Sequence, residues 1–488
     1  MTSLGRNRKA SIGLLLGLIL ILGSVSANAD ESLWVESDGV IGIPGERFEG
    51  GIDVKARTDR ARPLRPDVSA PIALEMRLEP VSLPEKDAVG ETRIGVPKRI
   101  GVHRQMPAEW RVPIQARDLL WEPVAGGGEV ATFSLTSPGA LSLRLAIDFE
   151  VLPKGAEIRF YSPDDPSDAM GPYEAGFILP ARAKKKGRSR HPFWSPVIQG
   201  ESIAMELFVP GWDSGQDVVF SIDRVSHNYL PLTTSFLKGP GDSGSCNRNL
   251  SCSNKWQDAG DGVAMYVFEG AGFSAQCSGQ LIVDGDASTQ KSWFLTAAHC
   301  VSKRSEARTM ALEFFYQQAS CGGGAISTAQ LGGGATLKAT TGNGGTVEGD
   351  TTLVRVKRDL PAGVFFQGLS IGGDHVGTKR GASIGHPNGD HKKIALLKRV
   401  HDVVKVDSGG FLVDGNTHYE VTWRKGTTTE GGSSGSSLMV GKRSPKQFVI
   451  GVLTGGAAAC GNAFEDYYGS FDYVLDNFSK FRKQLSLN

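Results

Sequence analysis

Two stretches of this 488-residue sequence combine residue types that could carry out nucleophilic chemistry. The first is Thr296-Ala297-Ala298-His299-Cys300, which follows the apolar run 293–295. A histidine at the end of a buried strand suits a general base, because its ring is held rigidly and the neighbouring alanines leave room for a substrate. A lone histidine is more often a hydrogen-bonded core residue, so this interpretation requires a nucleophile and an orienting acid elsewhere.

The second stretch, Glu430-Gly431-Gly432-Ser433-Ser434-Gly435-Ser436, supplies candidate nucleophiles. Interpreted as Gly-x-Ser-Gly, it makes a sharp turn that exposes Ser434, and the N–H groups of Gly432 and Ser434 then point at a developing oxyanion. The same letters fit a G-x-S-x-G elbow centred on Ser433, but that motif requires the order serine, acid, histidine. All nine histidines precede Ser433, so the elbow fails. A flexible Gly/Ser loop is the remaining alternative.

An acid that could orient the imidazole lies between these stretches. Asp350 opens an alternating strand and would be held by the sheet. Asp359 and Asp374 are rivals, although neither opens so clear a strand. The order His299, Asp350, Ser434 is that of chymotrypsin-like double β-barrels. The predicted chemistry is hydrolysis by an activated serine, with no cofactor and no metal.

Short strands separated by glycine-rich turns must position these residues. Glycine clusters at 322–324, 332–334 and 342–345 fit hairpin tips. Four apolar residues at the end of the chain recur at helical spacing and predict an amphipathic C-terminal helix: Val474, Phe478, Phe481 and Leu485. The predicted strands are 263–268, 280–283, 312–316, 351–357, 418–423 and 448–453.

The first half of the chain, 30–237, has no cysteine and no evident catalytic cluster. Alternating stretches at 141–145 and 204–209, punctuated by proline and glycine, predict a β-sandwich-like domain. The basic run 184–190 is typical of a solvated loop and is a candidate nick site. Residues 238–245 are rich in Gly, Pro and Ser and form the clearest linker.

The N-terminus predicts export. Basic residues precede the apolar run 12–23, and Ala27-Asn28-Ala29 has the form of a cleavage site, so we expect a signal peptide that ends at Ala29. A core of about a dozen residues is short for a membrane span, and an uncleaved anchor is the alternative. We therefore expect a protein secreted to the periplasm or beyond, with no membrane attachment after cleavage. A net charge of +1 argues against a nucleic-acid partner.

All six cysteines lie in the second half of the chain. In an exported protein an even number favours three disulfides, and six cysteines allow 15 pairings. Zinc is the competing explanation, but no pair has CxxC spacing and no histidine cluster accompanies them. The cysteines are Cys246, Cys252, Cys277, Cys300, Cys321 and Cys460.

Thr-Ala-Ala-His-Cys and Gly-Ser-Ser-Gly-Ser resemble the catalytic signatures of bacterial lysyl endopeptidases, which are secreted trypsin-like serine proteases. The similarity extends over about 239–473 and includes the cysteine spacing and the segments 350–353, 386–390 and 453–460. The resemblance implies an all-β, chymotrypsin-like double β-barrel with a C-terminal helix, preceded by the sandwich-like pro-domain. It also implies the disulfides Cys246–Cys460, Cys252–Cys321 and Cys277–Cys300.

The resemblance also implies a substrate pocket. Asp466 would lie at its base and select lysine, and Glu465 beside it is the rival carboxylate. Thr454-Gly455-Gly456 would form the pocket wall, where the family usually has His-Gly-Gly. The family also usually has proline at the positions of Gly431 and Ser437. These departures leave the three proposed catalytic residues unchanged but bear on the pH optimum and the pocket rim.

We therefore expect a serine endopeptidase that cleaves after lysine and is made as a self-processing precursor. Its parts would be a signal peptide (1–29), a β-rich propeptide (30–238) and a trypsin-like protease domain (239–488), with processing after Lys238. Its partners would be lysine-containing peptides or proteins and its own propeptide, and we expect a monomer. The alternatives are arginine or mixed basic specificity, and a catalytically silent protease-fold protein that acts in binding or adhesion.

Overall fold

The computed structural model describes residues 35–50, 74–82, 94–179, 191–230 and 243–487, apart from 38, 212, 214–216, 287, 343–347 and 408–411. The predicted signal peptide, the basic run 184–190, most of the linker and most of the glycine cluster 342–345 lie outside the described residues. Among the helices within these ranges, none is long and apolar enough to cross a membrane.

Strands dominate the first half of the chain. Its elements are β1 (Val35–Ser37), β2 (Val40–Ile43), β3 (Glu46–Arg47), β4 (Leu74–Arg77), β5 (Lys98–Gln105), β6 (Ile114–Gln115), β7 (Glu122–Pro123), β8 (Glu129–Thr136), β9 (Ser142–Val151), β10 (Glu157–Ser162), β11 (Asp165–Glu174), α1 (Ala175–Ile178), β12 (Phe193–Trp194), β13 (Ile198–Gln199), β14 (Ser202–Val209) and β15 (Val219–Asn228).

Strands also dominate the second half. Five of the six predicted there correspond to described strands, while the predicted strand 280–283 overlaps only the end of β18. Its elements are β16 (Arg248–Asn249), α2 (Gln257–Asp261), β17 (Val263–Glu269), β18 (Phe273–Leu281), β19 (Trp293–Thr296), α3 (Arg304–Thr309), β20 (Ala311–Ser320), β21 (Gly323–Leu331), β22 (Ala335–Thr340), β23 (Thr352–Val356), β24 (Phe365–Phe366), β25 (Gly368–Gly373), β26 (Gly381–Gly385), β27 (Lys393–Val406), β28 (Leu412–Trp423), β29 (Ser437–Gly441), β30 (Gln447–Gly456), β31 (Asp466–Ser470), α4 (Phe471–Asn477) and α5 (Ser479–Gln484).

The first half contains a β-sandwich, as predicted. One sheet has the order β11-β10-β14-β8-β4, and the other contains β12, β9, β15 and β5. Alternate residues of β9 enter one apolar core together with residues of the opposite sheet, which is how period-2 patterning fills the space between two sheets. The largest fully buried residues of this core are Phe133, Phe149, Phe160 and Phe220. We call residues 74–229 the sandwich.

The second half forms the predicted double β-barrel. Its first barrel has the strand order β21-β20-β17-β18-β19-β23-β22. Its second barrel is a closed ring in the order β30-β29-β26-β27-β28-β31, because β31 pairs back onto β30. The glycine cluster 322–324 lies at the tip of the β20–β21 hairpin, as predicted. The cluster 332–334 instead joins β21 to β22, which pairs with β23, so it is not a hairpin tip. We call residues 243–487 the double barrel.

Strands of the first half also extend the sheets of the double barrel, which sequence reasoning did not anticipate. β2 pairs antiparallel with β25, and β3 pairs with β24. Arg47 of β3 forms ion pairs with Asp258 and Asp261. On the other barrel, β5 pairs antiparallel with β18, so one sheet runs from the sandwich into the double barrel.

The C-terminal residues pack on the barrels as predicted, but as two short helices rather than one. The helical pattern is interrupted at Phe478, which has φ −125° and ψ 80° and separates α4 from α5. Val474, Phe481 and Leu485 are buried in the main barrel core, and Phe478 is partly buried against it. Residues of both helices therefore pack in the same core on either side of the break.

Candidate active site

The strand pairing of the first barrel brings His299 and Asp350 together. β19 ends at Thr296 and the antiparallel strand β23 begins at Thr352, and these two residues are direct partners. The residues just beyond the two strand ends therefore meet at one edge of the barrel. His299 Nδ1 lies 2.7 Å from Asp350 Oδ2, and the His299 backbone N–H donates to Asp350 Oδ1 at 2.8 Å. A carboxylate here fixes the proton on Nδ1 and leaves Nε2 free to accept one.

The rival acids for this position lie elsewhere. Asp350 is fully buried at the barrel edge, whereas Asp359 and Asp374 are exposed. Asp374 accepts a hydrogen bond from the backbone N–H of Val376 in its own turn. Of the three acids, the structure brings Asp350 to the imidazole.

The serine-rich loop before β29 packs against the histidine loop. The Ser278 backbone N–H donates to Ser434 O at 2.8 Å. Gly435 has φ +88°, and a Cβ at this position would clash with Ser278 O and Thr296 Oγ1, so a glycine is required for this close approach. Within the described residues, the N–H groups of Gly432 and Ser434 donate no backbone hydrogen bond. An oxyanion hole requires two such unpaired donors.

The neighbouring serines are distinguished by their hydroxyl partners. Ser436 Oγ lies 3.1 Å from Ser383 Oγ in the core, and Ser433 Oγ lies 3.5 Å from the Glu430 backbone N–H. Among the described residues Ser434 Oγ has no hydrogen-bond partner, and neither has the buried His299 Nε2. The bond between these two atoms is therefore not formed here. Such bonds often tighten only when a substrate is bound.

Asp466 begins β31 and has the burial expected at the base of a pocket. It is 1% exposed, whereas Glu465 is half-buried. Trp423 Nε1–H and Thr429 Oγ1–H both donate to Asp466 Oδ2, at 2.7 and 2.6 Å. Burial raises the pKa of Asp466, although these two hydrogen bonds and one from the Ala458 backbone N–H lower it, and no cation of the described chain offsets its charge. A buried carboxylate in this state favours a cationic ligand.

The segment 454–456 forms a wall beside this carboxylate. Gly456 pairs with Asp466 across β30 and β31, and a Cβ at Gly456 would clash with Asp466 Oδ1. Thr454 is buried at the position where the family resemblance expects histidine. The structure supplies a histidine from another strand, because His418 Nε2 lies 3.1 Å from Thr454 Oγ1.

Sequence reasoning missed His418, which β28 places behind the wall. Its Nδ1 lies 2.7 Å from Thr417 Oγ1. Burial lowers the pKa of His418 to about 4, while the charge of Asp350 raises it, so the ring is neutral at neutral pH. The alternation of β28 is the only sequence signal that this side chain points into the barrel. No pattern in the sequence indicates its contact with Thr454.

The six cysteines form the three disulfides that the resemblance implies: Cys246–Cys460, Cys252–Cys321 and Cys277–Cys300. The last joins β18 to the histidine loop across a sequence separation of 23, which on the chain-entropy account stabilises by about 3 kcal/mol. Cys277, His299 and Cys300 are close enough to share an ion, but their two sulfurs are bonded to each other and offer no thiolate.

Two acids hold the beginning of the double barrel near the serine loop, a feature that sequence reasoning also missed. Glu430 accepts hydrogen bonds from the Gly244 N–H and from the side-chain amide of Asn388. Asp390 accepts from Ser243 Oγ at 2.6 Å. Burial raises the pKa of Asp390, but hydrogen bonds from His391 and Ser243 outweigh it and hold the pKa below its usual value.

Comparison with known proteins identifies the family. Residues 240–469 match the family described as lysyl endopeptidase, C-terminal domain, and residues 75–229 match the lysyl endopeptidase N-terminal domain. A lysyl endopeptidase of Pseudomonas aeruginosa is 30% identical over 400 residues, which cover 79% of this chain and 82% of that protein. The chain belongs to the lysyl endopeptidase family. As a family member it is a serine endopeptidase that acts on peptide substrates.

Two solved serine-protease structures are also similar to the chain. A thermostable serine protease, AL20, from an extremophilic microorganism is 13% identical and has a TM-score of 0.32, covering 47% of this chain and 100% of that one. The scabies mite inactivated protease paralogue S-I1 is 15% identical and has a TM-score of 0.33, covering 47% of this chain and 98% of that one. The predicted processing residues Ala29 and Lys238 lie outside the described residues.

Proposed function

We propose that this family member is a secreted endopeptidase that cleaves peptide bonds after lysine. The observation that carries the proposal is the state of Asp466, a carboxylate that is 1% exposed and has only neutral hydrogen-bond donors around it. A lysine side chain in the pocket supplies the missing cation. Thr454, Gly455 and Gly456 form the wall along which the substrate lies.

The proposed mechanism assigns one task to each residue. Ser434 Oγ attacks the carbonyl carbon while His299 Nε2 takes its proton, and Asp350 holds the ring through Nδ1 and stabilises the imidazolium. The N–H groups of Gly432 and Ser434 stabilise the oxyanion, and one such donor is worth roughly 10²- to 10³-fold in turnover. His299 then protonates the leaving amine, and water releases the acyl group by the same route.

The hydrogen bonds of Asp466 favour lysine over arginine. Two side-chain donors converge on Oδ2, and the Ala458 backbone N–H is a third neutral donor to the carboxylate. An ammonium group binds one oxygen as a compact point charge, whereas a guanidinium is best bound when both oxygens accept in parallel. A carboxylate that already accepts from three neutral donors therefore fits the single contact of a lysine better than the parallel pair of an arginine.

The precursor organisation is the second part of the proposal. A signal peptide of residues 1–29 directs export, residues 30–238 form the propeptide, and residues 239–488 form the protease domain. The enzyme cuts its own chain after Lys238, where Leu237-Lys238-Gly239-Pro240 offers lysine in the clearest linker of the sequence. In pancreatic zymogens the new N-terminal amine pairs with an aspartate directly before the nucleophilic serine. This chain has Ser433 at that position, so its mature N-terminus cannot form this ion pair.

Matched peptide amides test the specificity. The processed enzyme is assayed with substrates that differ only in lysine, arginine or uncharged norleucine before the scissile bond, and Ser434→Ala serves as the blank. We expect kcat/KM for lysine to exceed both others by at least tenfold. Equal values for lysine and arginine would support mixed basic specificity instead, and hydrolysis of none of the three would support the silent binding protein.

A further inference from the structure

A short segment between the first described residues of the sandwich and β5 contacts the wall of the substrate pocket. The Gly95 backbone N–H donates to Thr454 O at 3.3 Å. Next to this bond, a Cβ placed on Gly455 would lie 3.4 Å from Ile94 Cα, so the two chains are in van der Waals range. Residues 94 and 95 therefore occupy the surface along which we place the substrate.

The other end of this segment, at Lys98, makes contacts beside the loop that carries Ser434. β5 begins at Lys98, which pairs with Gln276 of β18, and Lys98 Nζ donates to Asn388 Oδ1 at 2.6 Å. Gln276 itself donates through Nε2 to the carbonyl oxygen of Gly432 at 3.3 Å. This second contact lies at the loop that carries the proposed nucleophile.

The two contacts define a path over the active site. Three peptide units separate Gly95 from Lys98 and span at most about 10 Å when extended. One end lies on the pocket wall, and the other lies beside Cys277, whose disulfide joins β18 to the loop of His299. Ser434 is accordingly 8% exposed, and the His299 side chain 5%.

We propose that residues 94–98 are a pseudosubstrate strand, which occupies the cleft with the polarity of a substrate and inhibits the enzyme. The inference rests on the proposed function, because it places Gly95 where the substrate lysine would lie. The chain runs from the pocket wall toward β18, which is also the direction from the acyl side to the leaving-group side of a bound substrate.

The chemistry of Gly95 explains why the strand is bound but not cut. Glycine has no side chain to reach Asp466, so the pocket stays without its cation. Its φ of +72° is a backbone conformation that a lysine in an extended substrate would not adopt. The segment therefore keeps a backbone hydrogen bond of the substrate site while presenting no lysyl carbonyl to Ser434.

A buried ion pair and further hydrogen bonds hold the sandwich on the double barrel independently of the linker. Arg144 Nη1 lies 2.7 Å from Glu269 Oε1, and His103 Nε2 lies 2.8 Å from Glu269 Oε2. Arg144 also donates to Thr309 O at 2.7 Å. A cut in the linker leaves all of these contacts in place, so the cleaved sandwich remains bound as an inhibitor until it is removed.

The test measures how fast a fluorophosphonate labels Ser434 in the full-length chain, with Lys238→Gln to block processing. Gly95→Pro removes the N–H and forbids positive φ, and we expect it to raise the labelling rate at least tenfold, toward that of the processed enzyme. Gly126→Pro is the matched control, because Gly126 has φ +99° in the turn between β7 and β8. It should label as slowly as the parent.

Lys98→Met is the second variant, because it removes the ammonium contact to Asn388 without changing the backbone. We expect a rise of two- to tenfold. Equal rates for the parent, Gly95→Pro and Lys98→Met would overturn the proposal, as would a parent that labels as fast as the processed enzyme.

Hydrogen exchange separates this inference from the proposed function. In the full-length Ser434→Ala chain, the Gly95 amide should exchange at least tenfold more slowly than the Gly126 amide, whether or not the enzyme has activity. Exchange at the same rate would overturn the pseudosubstrate. Failure of the processed enzyme to label would instead count against Ser434 as the nucleophile.

Discussion

Replacing Asp466 by asparagine removes the pocket charge while keeping its shape. The amide oxygen of asparagine can still accept from Trp423 and Thr429, which now meet at one carboxylate oxygen. The substrate ammonium then loses its charged partner in a site that is 1% exposed. The perturbation is therefore electrostatic and local.

The expected loss is large because the pair is buried. Removing one partner of a buried, hydrogen-bonded charge pair costs about 2–5 kcal/mol. At 1.36 kcal/mol per decade, this lowers kcat/KM for lysine substrates by about 30- to 5000-fold. Norleucine substrates make no use of the charge and should change by less than about twofold on the same reasoning.

The assay is steady-state hydrolysis of the matched lysine and norleucine amides by Asp466→Asn and parent enzyme. Thermal unfolding provides the check on folding. Because Asp466 is desolvated without a cation, the neutral variant should be at least as stable as the parent. Equal losses on both substrates, or a lower unfolding temperature, would show that Asp466 is structural and refute the pocket assignment.

Three further predictions concern the nucleophile, the pH profile and maturation. Ser434→Ala should lower turnover by several orders of magnitude. Ser436→Ala loses a hydrogen bond in the core, so it should lower stability by about 1 kcal/mol and keep its activity. An inactive Ser436→Ala variant would contradict the assignment of Ser434 as the nucleophile. Burial raises the pKa of Asp466 above its usual value, and the protonated carboxyl has no charge with which to bind lysine. The ratio of kcat/KM for lysine to that for norleucine should therefore fall as the pH drops through this raised pKa. In Asp466→Asn this ratio should be flat with pH, and a parallel acid limb in both enzymes would contradict the assignment. The Ser434→Ala precursor should persist alone and be cut between Lys238 and Gly239 when a trace of active enzyme is added. A mature terminus at another position, measured by N-terminal sequencing, would exclude self-processing at this bond.

The sequence predicted the parts of the site that local patterns specify. An apolar run before His299 and an alternating run after Asp350 indicate two strands, and the pairing of those strands places the two side chains at one edge. Spacing and order were sufficient here, because each residue directly adjoins a strand end. The choice of Ser434 over Ser433 rests on the glycine frame and stays a prediction.

Non-local contacts could not be predicted. His418 and Thr454 are far apart in the chain, and their contact depends on how β28 and β30 each pair with β31. The pairing of β5 with β18 joins segments that are far apart in the chain, and no local pattern indicates it. Helical spacing alone predicted one continuous helix and gave no sign of the break at Phe478, where the backbone leaves the helical conformation.

Labelling with lysyl and arginyl diphenyl phosphonates, followed by mass spectrometry of the adduct, tests the central claim most directly. The reagent needs both the nucleophile and the pocket, since the activated serine attacks phosphorus only when the side chain is bound. We predict an adduct on Ser434 in the processed enzyme, formed at least tenfold faster with the lysyl reagent, and slowed at least 30-fold by Asp466→Asn. An adduct on another serine, or equal rates for the two reagents, would contradict a lysine-specific enzyme acting through Ser434.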